Sequence, residues 1–261
     1  MAAAGLGRFP FALRYALRHG LLSLLVAAAS AAAVYGLLYP PPYQAMLGVG
    51  GIFLLLLAVD VVCGPLLTLL LASPKKSRRE RWADFSLVGV VQLVALLYGL
   101  LSVWVARPVV LAFEVDRLVV VTANEVQTEA LPEAPEGLRR LPWWGMQQVG
   151  TRGPQGNDEL FASVNLSMSG ITPAMRPGWW LPWSQAREDM QLRAQALTPL
   201  LERRPQDAAT LRAAIAATGL PAGQLRYLPL TSRQTKDWIV LLDADMRIVG
   251  HAPVDGFGVP H

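Results

Sequence analysis

Asp60 is the residue in this chain whose surroundings least suit its chemistry. It stands inside the apolar run Leu47–Ala72, in the segment Ala58-Val59-Asp60-Val61-Val62-Cys63-Gly64-Pro65-Leu66-Leu67-Thr68. As a helix this 26-residue run rises about 39 Å, against a bilayer core of about 30 Å. An ionised carboxylate near the midplane costs roughly 2.5–3.5 kcal/mol on insertion scales, so such a group turns toward protein or water. Asp60, Gly64 and Thr68 fall at i, i+4 and i+8 and share one helix face. Pro65 cannot donate to the Val61 carbonyl, which predicts a kink and a face suited to close helix contact.

Other chemistry is weakly signalled. Asp243-Ala244-Asp245 has the form of a metal-binding pair but lies between two apolar runs, where a hairpin turn is expected. His19, His251 and His261 are isolated from cysteines and from paired carboxylates at metal spacing. No Ser, Cys or His stands in a nucleophile context, so neither enzymatic activity nor a cofactor is expected. Cys63, the only cysteine, falls in an apolar run and reads as a small packing residue, leaving the C-terminal half no disulfide of its own.

The elements that must position Asp60 are three apolar runs, at about 20–39, 47–72 and 85–105. Residues 1–106 carry eight Lys/Arg against three acids, a net of +5, whereas residues 107–261 carry a net of −1. The basic character therefore belongs to short segments beside apolar runs, which favours membrane orientation and excludes nucleic-acid binding as its purpose. Arg14 and Arg18 precede the first run. Lys75, Lys76, Arg78, Arg79 and Arg81 fill the loop 73–84, and residues 40–46 carry no charge. The positive-inside rule places the N-terminus and the 73–84 loop in the cytoplasm, with 40–46 and everything after Ala106 outside. The basic loop is read as a topology anchor that touches anionic headgroups, and Trp82 and Trp104 suit interfacial belts. A cleavable leader is the rival reading of the first run, but its apolar stretch continues past Ala29-Ser30-Ala31 to Leu38 without a polar break.

Antiparallel counting puts Tyr98 of the third run level with Asp60 and Gln92 level with Pro65. They lie roughly 120° apart around a helix, so both cannot centre one narrow contact. Three readings of Asp60 stand open: a hydrogen-bonding lock among the chain's own helices, contact with a partner's transmembrane helix or a polar pathway, and a proton relay. The relay is the weakest, since the three runs hold no second ionisable group.

Beyond Arg107 the pattern changes. Val109–Val115 and Leu118–Thr122 predict a β-hairpin, followed by a Pro/Glu-rich loop over 129–142 and a short strand within 145–152. Helices are predicted over 158–168, 185–201 (opened by Ser184) and 208–218 (capped by Asp207 and ended by Gly219). Strands follow at 225–230 and 238–242, and Asp243–Asp245 turns the chain into 247–251. The expected fold is thus three transmembrane α-helices (1–106) followed by an external α+β domain (107–261) with a mostly antiparallel sheet. Trp143, Trp144, Trp179, Trp180 and Trp183 form two groups in Pro-rich loops, read either as core or as contacts with a partner or headgroups.

The run Val59–Leu70, the basic loop, Gln92–Gly99 and Ala106–Leu118 together resemble the TfpX/TfpZ family of type IV pilin accessory proteins, most specifically across residues 45–128. Pro142–Gly145 and Asp237–Asp243 are similar to family landmarks further on. The positions that carry over are Asp60, Gly64, Pro65, Gln92, Tyr98, Arg107, Pro108, Asp116 and Arg117. The alanine-rich first helix and Cys63 depart from the pattern. The resemblance implies a bacterial inner-membrane protein with a periplasmic C-terminal domain, a type IV pilin as partner, inner-membrane lipids around it and no catalytic residues. On that reading Asp60, Gly64, Pro65, Thr68, Gln92 and Tyr98 are candidates for contact with the pilin helix, and the five tryptophans for contact outside. A membrane-anchored periplasmic ligand-binding or sensor protein is the alternative, favoured by a polar pocket in the external domain.

Overall fold

The computed structural model describes residues 8–257, Ile52 by its backbone only. The chain divides into two compact units: the described residues up to Pro40 with Gly48–Val105, and Pro41–Leu47 with the described residues from Ala106 on.

The first unit holds three helices long and apolar enough to cross a membrane. Helix α1 runs Arg8–Ala33 and continues through a π-helical stretch Val34–Leu38. After the single helical turn α2 (Tyr43–Met46, in the second unit) come α3, Val49–Leu71, and α4, Arg78–Val105. Both α1 and α4 are longer than their apolar runs. The extra turns are amphipathic and basic, and a reading based on hydrophobicity alone cuts them off. Ser77 and Glu80 start α4 with a capping box: the Ser77 amide donates to Glu80 Oε2 at 2.7 Å and the Glu80 amide to Ser77 Oγ at 3.3 Å.

The second unit is built on an eight-stranded sheet: β1 Pro108–Glu114, β2 Arg117–Thr122, β3 Gln147–Thr151, β4 Trp180–Pro182, β5 Gln195–Ala196, β6 Arg226–Thr231, β7 Trp238–Leu242 and β8 Ile248–Ala252. Its main path is β4-β3-β1-β2-β6-β7-β8, with β5 paired to β6. The predicted β1–β2 hairpin is present, and Val115 takes a positive φ of 59° in its turn. The sheet is mixed, however, which corrects the mostly antiparallel expectation: β1 pairs with β3, and β2 with β6, in parallel. Connection geometry is the reason. β2 ends where β1 begins, and if the loop 123–146 stays at that end, β3 must set out beside β1 in the same direction.

One predicted helix is broken. Residues 185–201 form α6 (Trp183–Arg193), strand β5 and α7 (Leu197–Arg203). Pro199 cannot donate to the Gln195 carbonyl, so a continuous helix would lose that bond. The extended residues instead pair with β6, and Tyr227 donates its hydroxyl to Gln195 Oε1 at 2.8 Å. Pro182, not Ser184, occupies the cap position of α6. Asp207 precedes α8 (Ala208–Thr218) without a side-chain capping bond and faces Arg204 at 3.6 Å, whereas Gly219 ends α8 at φ +69° as expected.

Among the described residues, two apolar clusters pack against the sheet. One gathers Val110, Val121, Val149 and Trp180 on the β1–β3 half; the other joins Leu197, Leu200 and Leu211 from α7 and α8 to Tyr227, Ile239 and Leu241. The helix α5 (Asn157–Met168) leaves Leu160, Phe161, Val164 and Met168 exposed.

Candidate functional site

In the first unit, α3 is the central helix, with α1 and α4 packed against it. Small residues set both seams. On one, Gly20 of α1 lies against the Pro65 ring, where an added Cβ would come within 3.2 Å of Cγ. On the other, Gly64 lies against the Gln92 amide and Gly99 against Leu56, each too close to admit a Cβ without movement. Gln92 Nε2 donates to the Asp60 carbonyl at 2.7 Å. Thr68 is buried, and its Oγ1 is 2.5 Å from His19 Nδ1.

The predicted face of Asp60, Gly64 and Thr68 therefore exists, and Gln92 is the residue of α4 that meets it. Tyr98 is not brought to it: its side chain is 73% exposed on the outside of α4. Helical phase decides between the two, as their 120° separation requires. Cys63 is exposed on α3, which corrects its reading as a buried packing residue.

Tyr15 stacks near Phe85 at 5.4 Å toward one end of α1 and α4, and Tyr39 donates to the Val103 carbonyl at 2.9 Å toward the other. Between these contacts a cavity of about 280 Å³ opens, lined by residues that include His19, Ser23, Leu57, Asp60, Gln92 and Leu93. Leu22 and Leu93 at its edge are 61% and 55% exposed. The cavity presents an apolar rim over polar groups from all three helices. His19 was the missed member. Because α1 begins at Arg8, this histidine belongs to the helix and lines the same cavity as Asp60, so Asp60 is not the sole ionisable group of the three candidate spans. The signal lay in the register of Gly20 and His19 against Pro65 and Thr68, which pairs small with bulky and polar with polar.

The basic loop has internal partners as well as exposed charge. Lys76 Nζ contacts Asp84 at 2.5 Å, Arg81 donates to the Lys76 carbonyl at 2.7 Å and covers the Phe11 ring, and Lys75, Arg78 and Arg79 are exposed. Trp82 is exposed at this end.

The tryptophans separate by group. Trp179 and Trp180 are buried, with Trp180 Nε1 donating to the Ala174 carbonyl at 2.9 Å, and Trp183 is half-buried. Arg152 and Arg176 lie over the Trp179 ring at 4.6 and 4.0 Å from its centroid. Trp143 and Trp144 are 71% and 62% exposed. A second cavity, of about 680 Å³, lies between α5 and the sheet and is lined by Phe113, Arg152, Val164, Met168, Asp189 and Arg193 among others. Asp243 forms the expected turn, its Oδ1 accepting from the Asp245 and Arg247 amides at 2.9 and 2.8 Å. His251 stacks edge-on to Tyr43; burial lowers the imidazole's pKa and pushes the phenol up to about 12, so both are held neutral. His261 lies outside the described residues.

Three helices long and apolar enough to cross a membrane, one cavity among them lined in part by polar side chains, and a mixed-sheet domain define the class of chain. Relatives make the class specific. Residues 7–48 match the family model described as Fimbrial assembly protein FimB. The fimbrial assembly protein of Dichelobacter nodosus serogroup E1 is 34% identical over 254 residues, covering 96% of this chain and 98% of its own length. The serogroup I protein is 33% identical over 251 residues, with the same coverage. The protein of serogroups C1 and C2 is 41% identical over 127 residues, spanning 49% of this chain and 97% of its own. No solved structure matches. The chain belongs to the fimbrial assembly protein family.

Proposed function

We propose that this chain is a non-catalytic accessory protein of type IV pilus assembly, of the TfpX/TfpZ kind, that stabilises or positions a pilin. The observation that carries this reading is the similarity to fimbrial assembly proteins along almost the whole chain, both units included. In this reading α1, α3 and α4 cross the inner membrane, with the N-terminus and the basic 73–84 segment in the cytoplasm. Pro41–Leu47 shares a compact unit with the residues after Ala106, which supports placing both on the periplasmic side.

A type IV pilin waits in the membrane on a single apolar helix. The cavity between α1 and α4 offers that helix an apolar rim at Leu22 and Leu93 and polar atoms from Asp60, Gln92 and His19 beneath. Small residues already line the α3 seams, so the polar notch is held open by packing that does not use it up. The rival reading, a periplasmic sensor, draws on the mixed polar and apolar cavity beside α5.

The test is recovery of pilin with affinity-purified full-length protein carrying Asp60→Asn or Asp60→Leu. Recovery should fall with Asp60→Leu and be partly kept by Asp60→Asn, which preserves hydrogen bonding. Unchanged recovery from well-inserted, folded variants would sink the pilin-helix assignment and leave the sensor reading standing.

A further inference from the structure

The segment Arg139-Arg140-Leu141-Pro142-Trp143-Trp144-Gly145 is not accounted for by either cavity. Trp143 and Trp144 project from the domain at 71% and 62% exposure, and Arg139, Arg140 and Gly145 are exposed beside them. Both indoles are mostly exposed, and Gly145 at φ +67° holds the turn that presents them.

Position within the domain says what covers them. The loop leads into β3, whose first residue, Gln147, is in parallel register with Val110, so its tip lies at the end of the sheet where β1 begins. Arg107 Nη2 donates to the Pro142 carbonyl at 3.0 Å, fastening the loop to the residue just before β1. Arg107 is only two residues past Val105, the last residue of α4. The same end carries a second mark. At the end of β6, Ser232 Oγ donates to the Met46 carbonyl at 3.3 Å, and Met46 lies in the short segment that joins α1 to α3. Chain connectivity alone thus identifies this end of the domain as the one where the polypeptide enters and leaves the apolar helices. Two residues and one arginine side chain reach only about 13 Å. The polar zone on each side of a bilayer core is about 5–8 Å thick, the level at which tryptophan is enriched.

We infer that the loop Arg139–Gly145 is an interfacial anchor: Trp143 and Trp144 sit among the headgroups of the bilayer that α1, α3 and α4 cross, and Arg139 and Arg140 face anionic lipid phosphates. This inference rests on the membrane placement proposed above. It removes these two tryptophans from the pilin-contact surface. Arginine beside tryptophan matches that zone chemically, because the guanidinium pairs with phosphate while the indole body takes the acyl boundary.

The test uses full-length protein in vesicles of phosphatidylethanolamine and phosphatidylglycerol, without pilin. Nitroxide labels are placed at Trp144→Cys and at Ala244→Cys, each in a Cys63→Ser background, and at native Cys63 in the otherwise unaltered chain. Ala244 belongs to the exposed turn after β7, at the opposite end of the sheet. The label at 144 should lose collisional broadening by an aqueous nickel complex and gain it from oxygen, relative to the label at 244. Arg139→Gln with Arg140→Gln, or vesicles of phosphatidylcholine alone, should shift it back toward water. A label at 144 as water-exposed as that at 244, while Cys63 reads lipid, overturns the anchor alone. Cys63 reading water overturns the membrane placement and the anchor with it. Shielding at 144 that arises only after pilin is added assigns the loop to pilin and also overturns the anchor.

Discussion

At the scale of single residues, Gly64, Gln92 and Asp60 share one seam between α3 and α4. The Gln92 amide occupies the space a side chain at 64 would need, and from there it reaches the Asp60 carbonyl. Gly64→Ala should therefore push the amide aside and cost about 0.5–1.5 kcal/mol, the net worth of one hydrogen bond. In a Gln92→Leu background the same substitution should cost differently, because the bond is already gone; reversible unfolding of the four proteins in one detergent measures that coupling. Purely additive effects would show that the amide does not hold the seam. The sequence marked Asp60 because a carboxylate in an apolar run is rare, and it marked Gln92 and Tyr98 as alternatives. Choosing between them needed the rotational phase of α4, in which Gly99 lies against Leu56 and Gly64 against the Gln92 amide. Trp180 and Trp143 make the same point outside the bundle. Both follow or begin a Pro-rich stretch, yet one is buried on β4 and the other stands at a loop tip.

Among elements, α5 carries an ion pair at its first turn. Arg152 donates to both carboxylate oxygens of Glu159 at 2.9 and 2.7 Å, and the Gln155 amide donates to the same carboxylate. The arginine's hydrogen bonds hold the Glu159 carboxyl down at about 2, with the amide bond adding to them. A carboxylate with a lowered folded-state value lends stability above its ordinary titration range and loses it as pH falls through that lowered value. Amide exchange in α5, corrected for intrinsic rates, should hold steady between about pH 7 and 5 and loosen below about pH 3 before the sheet does. Glu159→Gln should weaken α5 at neutral pH and flatten that dependence; a pH profile unchanged by the substitution would show that the ion pair does not fasten the helix. Elements were legible where periodicity or punctuation was strong: the β1–β2 hairpin, α8 with its terminal glycine, and the Asp243 turn. The mixed sheet was not, since which strand lies beside which depends on where long connections run. The break in 185–201 was signalled only by Pro199.

For the molecule as a whole, charge and hydropathy divide at Ala106, whereas compactness assigns Pro41–Leu47 to the later residues. Charge alone places that short uncharged segment outside, and its bond to Ser232 and ring contact with His251 are long-range pairings no local pattern encodes. The family model matches 7–48, largely the alanine-rich helix whose composition said least. In the proposed function, the cavity between α1 and α4 receives a pilin's membrane helix. A photoreactive amino acid at Leu22 or Leu93, on the cavity rim, should crosslink pilin in living cells, and one at Val62, exposed on α3 outside the cavity lining, should not. Asp60→Leu should abolish the rim adducts. Equal adducts from position 62, or none from 22 and 93 with inserted protein and pilin in the same membrane, would contradict the account.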